Sequence, residues 1–276
     1  MTTDTTSHGV NTTITPTAIS VSVVGDTAIF PLPKVRLASS GSVGGLRGSI
    51  GGFSLASVRR LRESLATLYI SDSEVIGITL TVPWRDSFSL SAYRASINRC
   101  FTALRRHYPD GGAIYRHEIQ ERGAPHCHMI YYLPLSCDFD KFAQDVRLTW
   151  LKSCPLADGS LLGFAKYGVK IDRVESEARM WRYLSDHLSK GKQAQLGYIG
   201  KQWGILNRKA FCRRKSVDYN LTPRQYIAVR RQLSRLYRYC KKCDCIFGYK
   251  HLRRRKYGKI TFGRGDTLVK IINFYL

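Results

Sequence analysis

His126 and His128 sit one residue apart in Pro125-His126-Cys127-His128-Met129, inside a run of β-branched and aromatic residues that ends at Tyr132. On a strand, side chains alternate between faces, so the two imidazoles project from one side while Cys127 and Met129 project from the other. The preceding run, Ala113 to Gln120, alternates in the same way, and Glu121-Arg122-Gly123-Ala124 interrupts it with a turn composition. The two runs therefore predict a β-hairpin with a four-residue, Gly-containing turn. Such a hairpin brings Glu118 or Gln120 to about 5 Å from the histidine strand. Two imidazoles and an oxygen ligand form a divalent-cation site, and the register, which sequence does not specify, decides between the two oxygens. Glu118 is the better donor because its oxygen is anionic.

A second chemical segment lies in Glu175 to Lys192, ESEARMWRYLSDHLSKGK. At helical spacing Trp181, Leu184 and Leu188 fall within about 60° of arc and would anchor a helix. Tyr183, His187 and Lys190 fall on the neighbouring arc. A phenol beside a cationic side chain suits nucleophilic attack on phosphate, because the cation favours the phenolate.

Together these segments resemble the HUH endonucleases, and in particular the rolling-circle replication initiators of small single-stranded DNA phages and plasmids. Pro125-His126-Cys127-His128 resembles the family's His-hydrophobic-His motif, and Glu118 to Ala124 resembles the strand and turn before it. Ile78-Thr79-Leu80-Thr81 is similar to the strand that precedes the family's first helix. Tyr183-Leu184-Ser185-Asp186-His187-Leu188-Ser189-Lys190 resembles the Tyr-x3-Tyr-x2-Lys signature of two-tyrosine initiators, with His187 in place of the second tyrosine. Gly200-Lys201-Gln202-Trp203-Gly204 is similar to the Gly-x-x-Trp-Gly segment that follows the tyrosine helix.

The resemblance implies a nickase and ligase for single-stranded origin DNA. His126, His128 and Glu118 would hold one Mg²⁺ or Mn²⁺. Tyr183 would be the nucleophile, leaving a 5′-phosphotyrosine and a free 3′-OH that primes synthesis. Lys190 would offset phosphate charge and His187 would move the phenol proton. Rejoining would need no ATP, and no Gly-x4-Gly-Lys-Ser/Thr phosphate-binding loop occurs in the chain, so unwinding would fall to a host helicase working with a host polymerase. The alternatives are a transposase or relaxase of the same superfamily, and a non-enzymatic protein that coats single-stranded nucleic acid.

Charge points to the same kind of partner. The 276 residues carry 44 Lys and Arg against 20 Asp and Glu, a formal charge of +24. From Lys201 onward 21 basic residues face only Asp218, Asp244 and Asp266. A polyanion is the expected partner. Arg122, Lys192, Lys201, Arg213, Arg214, Arg231, Arg253, Arg254 and Arg255 are the candidate DNA contacts. No apolar run approaches the ~20 residues needed to span a bilayer, and no signal peptide opens the sequence, so the expected setting is the cytoplasm of a bacterial host, with no membrane partner. The eight cysteines are expected to stay reduced there. Cys240, Cys243 and Cys245, with His251 nearby, are a candidate structural zinc site of unusual spacing.

The elements that must position the chemistry read as an α/β (α+β) fold: an RRM-like central antiparallel sheet carrying the His-x-His hairpin, helices packed on it, and a basic, mostly helical C-terminal extension. The expected division is a disordered N-terminal arm and Gly-rich linker over 1–52, an endonuclease domain over 53–215, and a DNA-binding extension over 216–276. Within the arm, Ile19 to Phe30 has room for one strand. Leu55 to Leu68 reads as a short basic helix, Val75 to Val82 as a buried strand, Ser91 to Tyr108 and Phe142 to Trp150 as helices, and Phe164 to Ile171 as a strand. Thr222 to Tyr239 reads as a helix whose core side includes Ile227, Val229, Leu233 and Leu236, with arginines and interleaved tyrosines suited to phosphate contact and base stacking. Leu268 to Leu276 closes the chain as a strand or short helix.

Overall fold

A computed structural model describes residues 18–24, 27–30, 55–82, 89–119, 124–154, 168–174, 201–239, 260–262 and 265–276. Its centre is a five-stranded antiparallel sheet formed by β4 (Ser73–Thr81), β5 (Gly112–Ile119), β6 (Pro125–Pro134), β7 (Val169–Arg173) and β8 (Trp203–Leu206), in the order β7-β4-β6-β5-β8. Helix α2 (Leu90–His107) links β4 to β5, and α3 (Phe139–Ser153) links β6 to β7. This is the expected β-α-β-β-α-β arrangement, with β8 added to the β5 edge.

Local chemistry explains the helix ends. Ser89 caps α2 by accepting from the Ala92 amide at 3.2 Å, and Asp138 caps α3 by accepting from the Lys141 amide at 2.7 Å. The Asp138 cap starts α3 three residues before the apolar periodicity does. Strand β7 is displaced toward the C-terminus of the expected Phe164–Ile171 run, because Ile171, Lys170 and Val169 pair with Ile78, Thr79 and Leu80. Residues 164–167 lie outside the described residues.

The two faces of the sheet are covered differently. On one, Ile76, Ile78, Leu80, Cys127, Met129, Tyr131 and Leu133 pack under α2 and α3 against Tyr93, Leu104, Phe142 and Trp150. Part of the other is covered by α1 (Leu55–Thr67), whose Leu61 and Leu65 meet Ile114, Ile130 and Tyr132. A two-stranded pair, β3 (Leu68–Tyr69) with β9 (Cys212–Arg213), flanks that cluster. Gly204 on β8 lies so close over Tyr115 that a β-carbon there would collide with its ring, which accounts for the glycine in the Trp203-Gly204 pair by packing alone.

The terminal segments form one unit. Strands β1 (Ile19–Val24) and β2 (Thr27–Ile29) join β10 (Val217–Leu221) and β11 (Ile260–Phe262) in a sheet of order β10-β1-β2-β11. Helices α4 (Pro223–Tyr239) and α5 (Gly265–Tyr275) pack on it through Val229, Leu233, Leu268 and Ile272, with Phe30 buried between. Ile19–Val24 and Thr27–Ile29 are two strands where the sequence leaves room for one, and the C-terminal extension carries strands as well as helices. The pairing of these strands with β10 and β11 has no local signature, because register between distant short strands leaves no trace in periodicity. Truncating Phe30 to Ala should cost about 3–5 kcal/mol in this unit. Limited proteolysis of the full chain should then cut within 217–239 well before the central sheet is touched; equal protection in variant and parent would mean the N-terminal strands do not hold the C-terminal helices.

Candidate metal and phosphodiester site

The hairpin register decides which oxygen ligand faces the histidines. Glu118 pairs with His126, Arg116 with His128, and on the other side of β6 the partners are Thr81 and Thr79. Gln120 lies outside the described residues, as does Arg122. In the resulting two rows, Glu118-His126-Thr81 and Arg116-His128-Thr79, every side chain projects to the face opposite α2 and α3. Cys127 and Met129 enter the apolar core as their alternation requires.

The imidazoles face polar neighbours. His126 and His128 are 4% and 8% exposed, Glu118 5%, and their rings lie nearly parallel, 13° apart, with centroids 6.1 Å from each other. Thr81 Oγ1 is 2.9 Å from His126 Nδ1, and Thr79 Oγ1 is 3.1 Å from His128 Nδ1. Holding Nδ1 in this way orients each ring so that Nε2 is the nitrogen presented for coordination. Thr81 is itself immobilised: its amide donates to Gly168 O at 2.8 Å and its carbonyl accepts from Trp150 Nε1 at 2.9 Å. Trp150, an apolar anchor of α3, thus fixes a residue that orients a histidine on the opposite face.

Glu118 Oε2 lies 3.1 Å from His128 Nε2, an ion pair or charge-assisted hydrogen bond as the side chains stand. The ligands are not closed into a cage: among the described residues no group of three His, Cys, Asp or Glu side chains is gathered to hold a metal ion. The backbone register places the donor set on one shared face. Two imidazole nitrogens and one carboxylate oxygen are a donor set of the kind that Mn²⁺ or Mg²⁺ takes.

Arg116 adds a permanent cation to the same face. It is 3% exposed, and burial brings its guanidinium down to about 10 while the Glu118 charge works in the opposite direction, so it remains protonated at neutral pH. The sequence reading assigned no role to Arg116, Thr79 or Thr81. Their place was accessible in part, since Arg116 shares Glu118's alternation and Thr79 and Thr81 alternate within an apolar strand. His117, by contrast, points to the helix side, where its Nδ1 meets the Tyr93 hydroxyl at 2.8 Å and burial, ahead of nearby Arg94, lowers it to about 4. It is a neutral core histidine.

The described tyrosines of the sheet are committed to packing. The Tyr115 ring packs tilted against Phe101 with centroids 4.7 Å apart, Tyr131 against Phe142 at 4.8 Å, and Tyr132 edge-on to Phe211 at 5.3 Å. Burial raises Tyr93, Tyr115 and Tyr131 above the ordinary phenol range, the reverse of what a nucleophile needs. Tyr183, His187, Lys190 and Lys192 lie outside the described residues, as do Cys240, Cys243, Cys245, His251 and Arg253 to Arg255. Lys201, Arg213 and Arg231 are exposed, and Arg214 lies over the Tyr69 ring at 5.4 Å.

Comparison with known families bears directly on this sheet. Residues 75–201 match the family model described as Replication-associated protein ORF2. The match supports a replication initiator. Its span runs from the early part of β4 to the start of β8 and so takes in both site rows. No curated protein and no solved structure matches the chain. No helix among the described residues is long and apolar enough to cross a membrane.

The orienting threonines give a test of the site that does not depend on catalysis. Thr81→Val keeps shape and removes the hydroxyl at His126. Mn²⁺ affinity, measured by calorimetric titration, should fall about 10–100-fold, with a stability cost of only about 1 kcal/mol. Unchanged Mn²⁺ binding in this variant would remove the threonine from the site.

Proposed function

We propose that the chain is an HUH-type initiator that nicks and rejoins single-stranded origin DNA through Tyr183. The observation that carries the reading is the register-matched set of Glu118, His126 and His128 on one sheet face, with both Nδ1 atoms held by threonines, inside the stretch matched by the replication-associated family.

In this reading His126 and His128 through Nε2, and Glu118 through its carboxylate, hold Mg²⁺ or Mn²⁺. The bound cation would supply Lewis-acid polarisation of the scissile phosphate and charge stabilisation at the leaving oxygen. Arg116 keeps a second positive charge on that face. Tyr183 Oη forms a bond to phosphorus while the P–O3′ bond breaks; the electron pair leaves on O3′, which takes up a proton, and the phenol proton passes to His187. Lys190 offsets the phosphate charge. The product is a 5′-phosphotyrosine with a free 3′-OH, and because the linkage conserves the phosphodiester bond, the same residues rejoin strands by the reverse step. Topology favours a nucleophile from 175–200: the described chain leaves β7 at Val174 and resumes at Lys201, where Gln202 O accepts from the His117 amide at 2.7 Å, next to Glu118. Host helicase and polymerase would act on the opened strand.

The deciding experiment incubates the full chain and Mn²⁺ with a randomised pool of single-stranded oligonucleotides and isolates species that survive denaturation. A covalent adduct is expected, whose attached DNA begins with one enriched sequence at the linked 5′ phosphate. No adduct at any sequence, with binding retained, would leave a non-enzymatic single-strand binder.

A further inference from the structure

We infer that Gly77, Asp172 and Lys170 form a base pocket beside the proposed metal site, with the edge chemistry to select guanine in a single strand. The sheet register places it. Gly77 lies opposite Ile130 on β6 and Asp172 on β7, two residues along β4 from Thr79, whose own partners are His128 and Lys170. Directly opposed residues share a face, so the Gly77 position is on the histidine side of the sheet, about 7 Å along the strand from the row of His128.

Nothing in the fold asks for a glycine there. β4 pairs with β6 in unbroken register from Ser73 to Thr81, with no bulge. A β-carbon on Gly77 would meet the Asp172 carbonyl oxygen and Val174 Cγ2 at 3.7 Å, ordinary contact, whereas at Gly204 the Tyr115 ring leaves no room for one. A glycine inside a paired strand weakens it, and with bulge and crowding both absent the remaining use of such a position is close approach of a ligand.

Exposure says from which side that ligand comes. On β5 and β6 this face is covered: Arg116, Glu118, His126 and His128 are buried, and so are Ile114 and Ile130. On β4 and β7 it is open. Gly77, Thr79 and Thr81 are half-buried, and the Lys170 and Asp172 side chains are 73% and 60% exposed. The notch at Gly77 thus has an apolar wall, Ile130, and a polar one, Asp172 with Lys170. Lys170 Nζ is 3.1 Å from Asp172 Oδ2. An exposed pair of this kind contributes little by itself, so a ligand can share it at small cost.

The polar wall picks the base. A carboxylate only accepts and an ammonium only donates. The pairing edge of guanine carries two adjacent N–H donors, at N1 and N2, beside the O6 acceptor. The two Asp172 oxygens take both donors and Lys170 Nζ donates to O6. Cytosine and adenine set one amino group beside an acceptor, and thymine sets one N–H between two acceptors, so none of them satisfies both oxygens. Only an unpaired base offers this edge, since pairing occupies it in a duplex. The inference rests on the initiator reading for its substrate, single-stranded DNA, and adds which base that substrate carries near the phosphate at the metal.

The test incubates the full chain and Mn²⁺ with a randomised pool of single strands, and sequences the bound strands separately from those linked covalently. Wild type should enrich guanine at one position, with strands carrying another base there bound about tenfold more weakly. Asp172→Asn should erase that preference, lowering affinity for the guanine strand about tenfold by fluorescence anisotropy. Charge alone predicts the opposite sign, because deleting an acid from a protein that binds a polyanion strengthens binding. Gly77→Val, which fills the notch, should bring the guanine strand down to the level of the others. Both variants should keep wild-type Mn²⁺ affinity, which separates loss of base selection from damage to the metal site. Asp172→Asn alters an exposed side chain and decides the matter if Gly77→Val does not fold. A preference unchanged in Asp172→Asn, a gain in affinity for every strand, or no guanine in the bound pool would each overturn the pocket. Guanine in the bound pool with no covalent product from any strand would overturn the nicking reading and leave the pocket standing.

Discussion

In the proposed reading, Tyr183→Phe is expected to abolish the covalent protein–DNA adduct while binding of the same single strand persists. The substitution deletes one oxygen and leaves the ring, so it removes only the proposed nucleophile. A drop of at least about 10³-fold in adduct yield is expected, the scale on which loss of a covalent nucleophile acts. The check is a denaturing gel of each protein with labelled oligonucleotide and Mn²⁺. Tyr115→Phe and Tyr132→Phe serve as controls that the structure makes informative. Tyr115 packs on Phe101 on the helix side of the sheet, and Tyr132 packs on Phe211 and donates to Leu68 O at 3.5 Å. Both variants should nick normally. Adduct retained in Tyr183→Phe, or lost in either control, would sink the assignment of the nucleophile.

His126→Ala is expected to have the next largest effect: cleavage should fall by about 10³-fold or more and be poorly rescued by excess Mn²⁺, because the removed imidazole is one of the three proposed donors, paired in register with Glu118. The binding readout is independent of turnover. Calorimetric titration of Mn²⁺ into wild type should show one site, weakened by at least about tenfold in His126→Ala and in Glu118→Ala. Gln120→Ala should leave that affinity unchanged, since Glu118 is the residue paired with His126. The reverse result, with Gln120→Ala weakening Mn²⁺ and Glu118→Ala neutral, would mean the site does not follow this register. Loss of the Thr81 contact in His126→Ala costs about 1 kcal/mol or somewhat more, small enough for the variant to stay folded.

Arg116 shows why part of the site escapes a linear reading. Nothing about an arginine in a strand announces that it will be buried; its 3% exposure is set by what packs on that face of the sheet, which the strand itself does not contain. Thr79 and Thr81 are similar. They lie 45 or more residues from the histidines they orient, and only the β4–β6 register joins them. Trp150 reads as a helix core residue, which it is, yet its indole N–H also secures Thr81.

Alternation over two residues was enough to put His126 and His128 on one side and Cys127 and Met129 on the other, and alternation is a local rule that strand geometry enforces anywhere in a protein. Helical periodicity located α2, α3 and α4 for the same reason, and the +24 charge marked a polyanion partner without reference to shape. The choice of Glu118 as the residue opposite His126, the threonine clamps and the pairing of residues 19–23 with 217–221 were decided by tertiary structure alone. Each depends on which strand lies beside which and in what register. That is set by burying apolar surface across long separations in the chain, an energy that no short window of sequence contains.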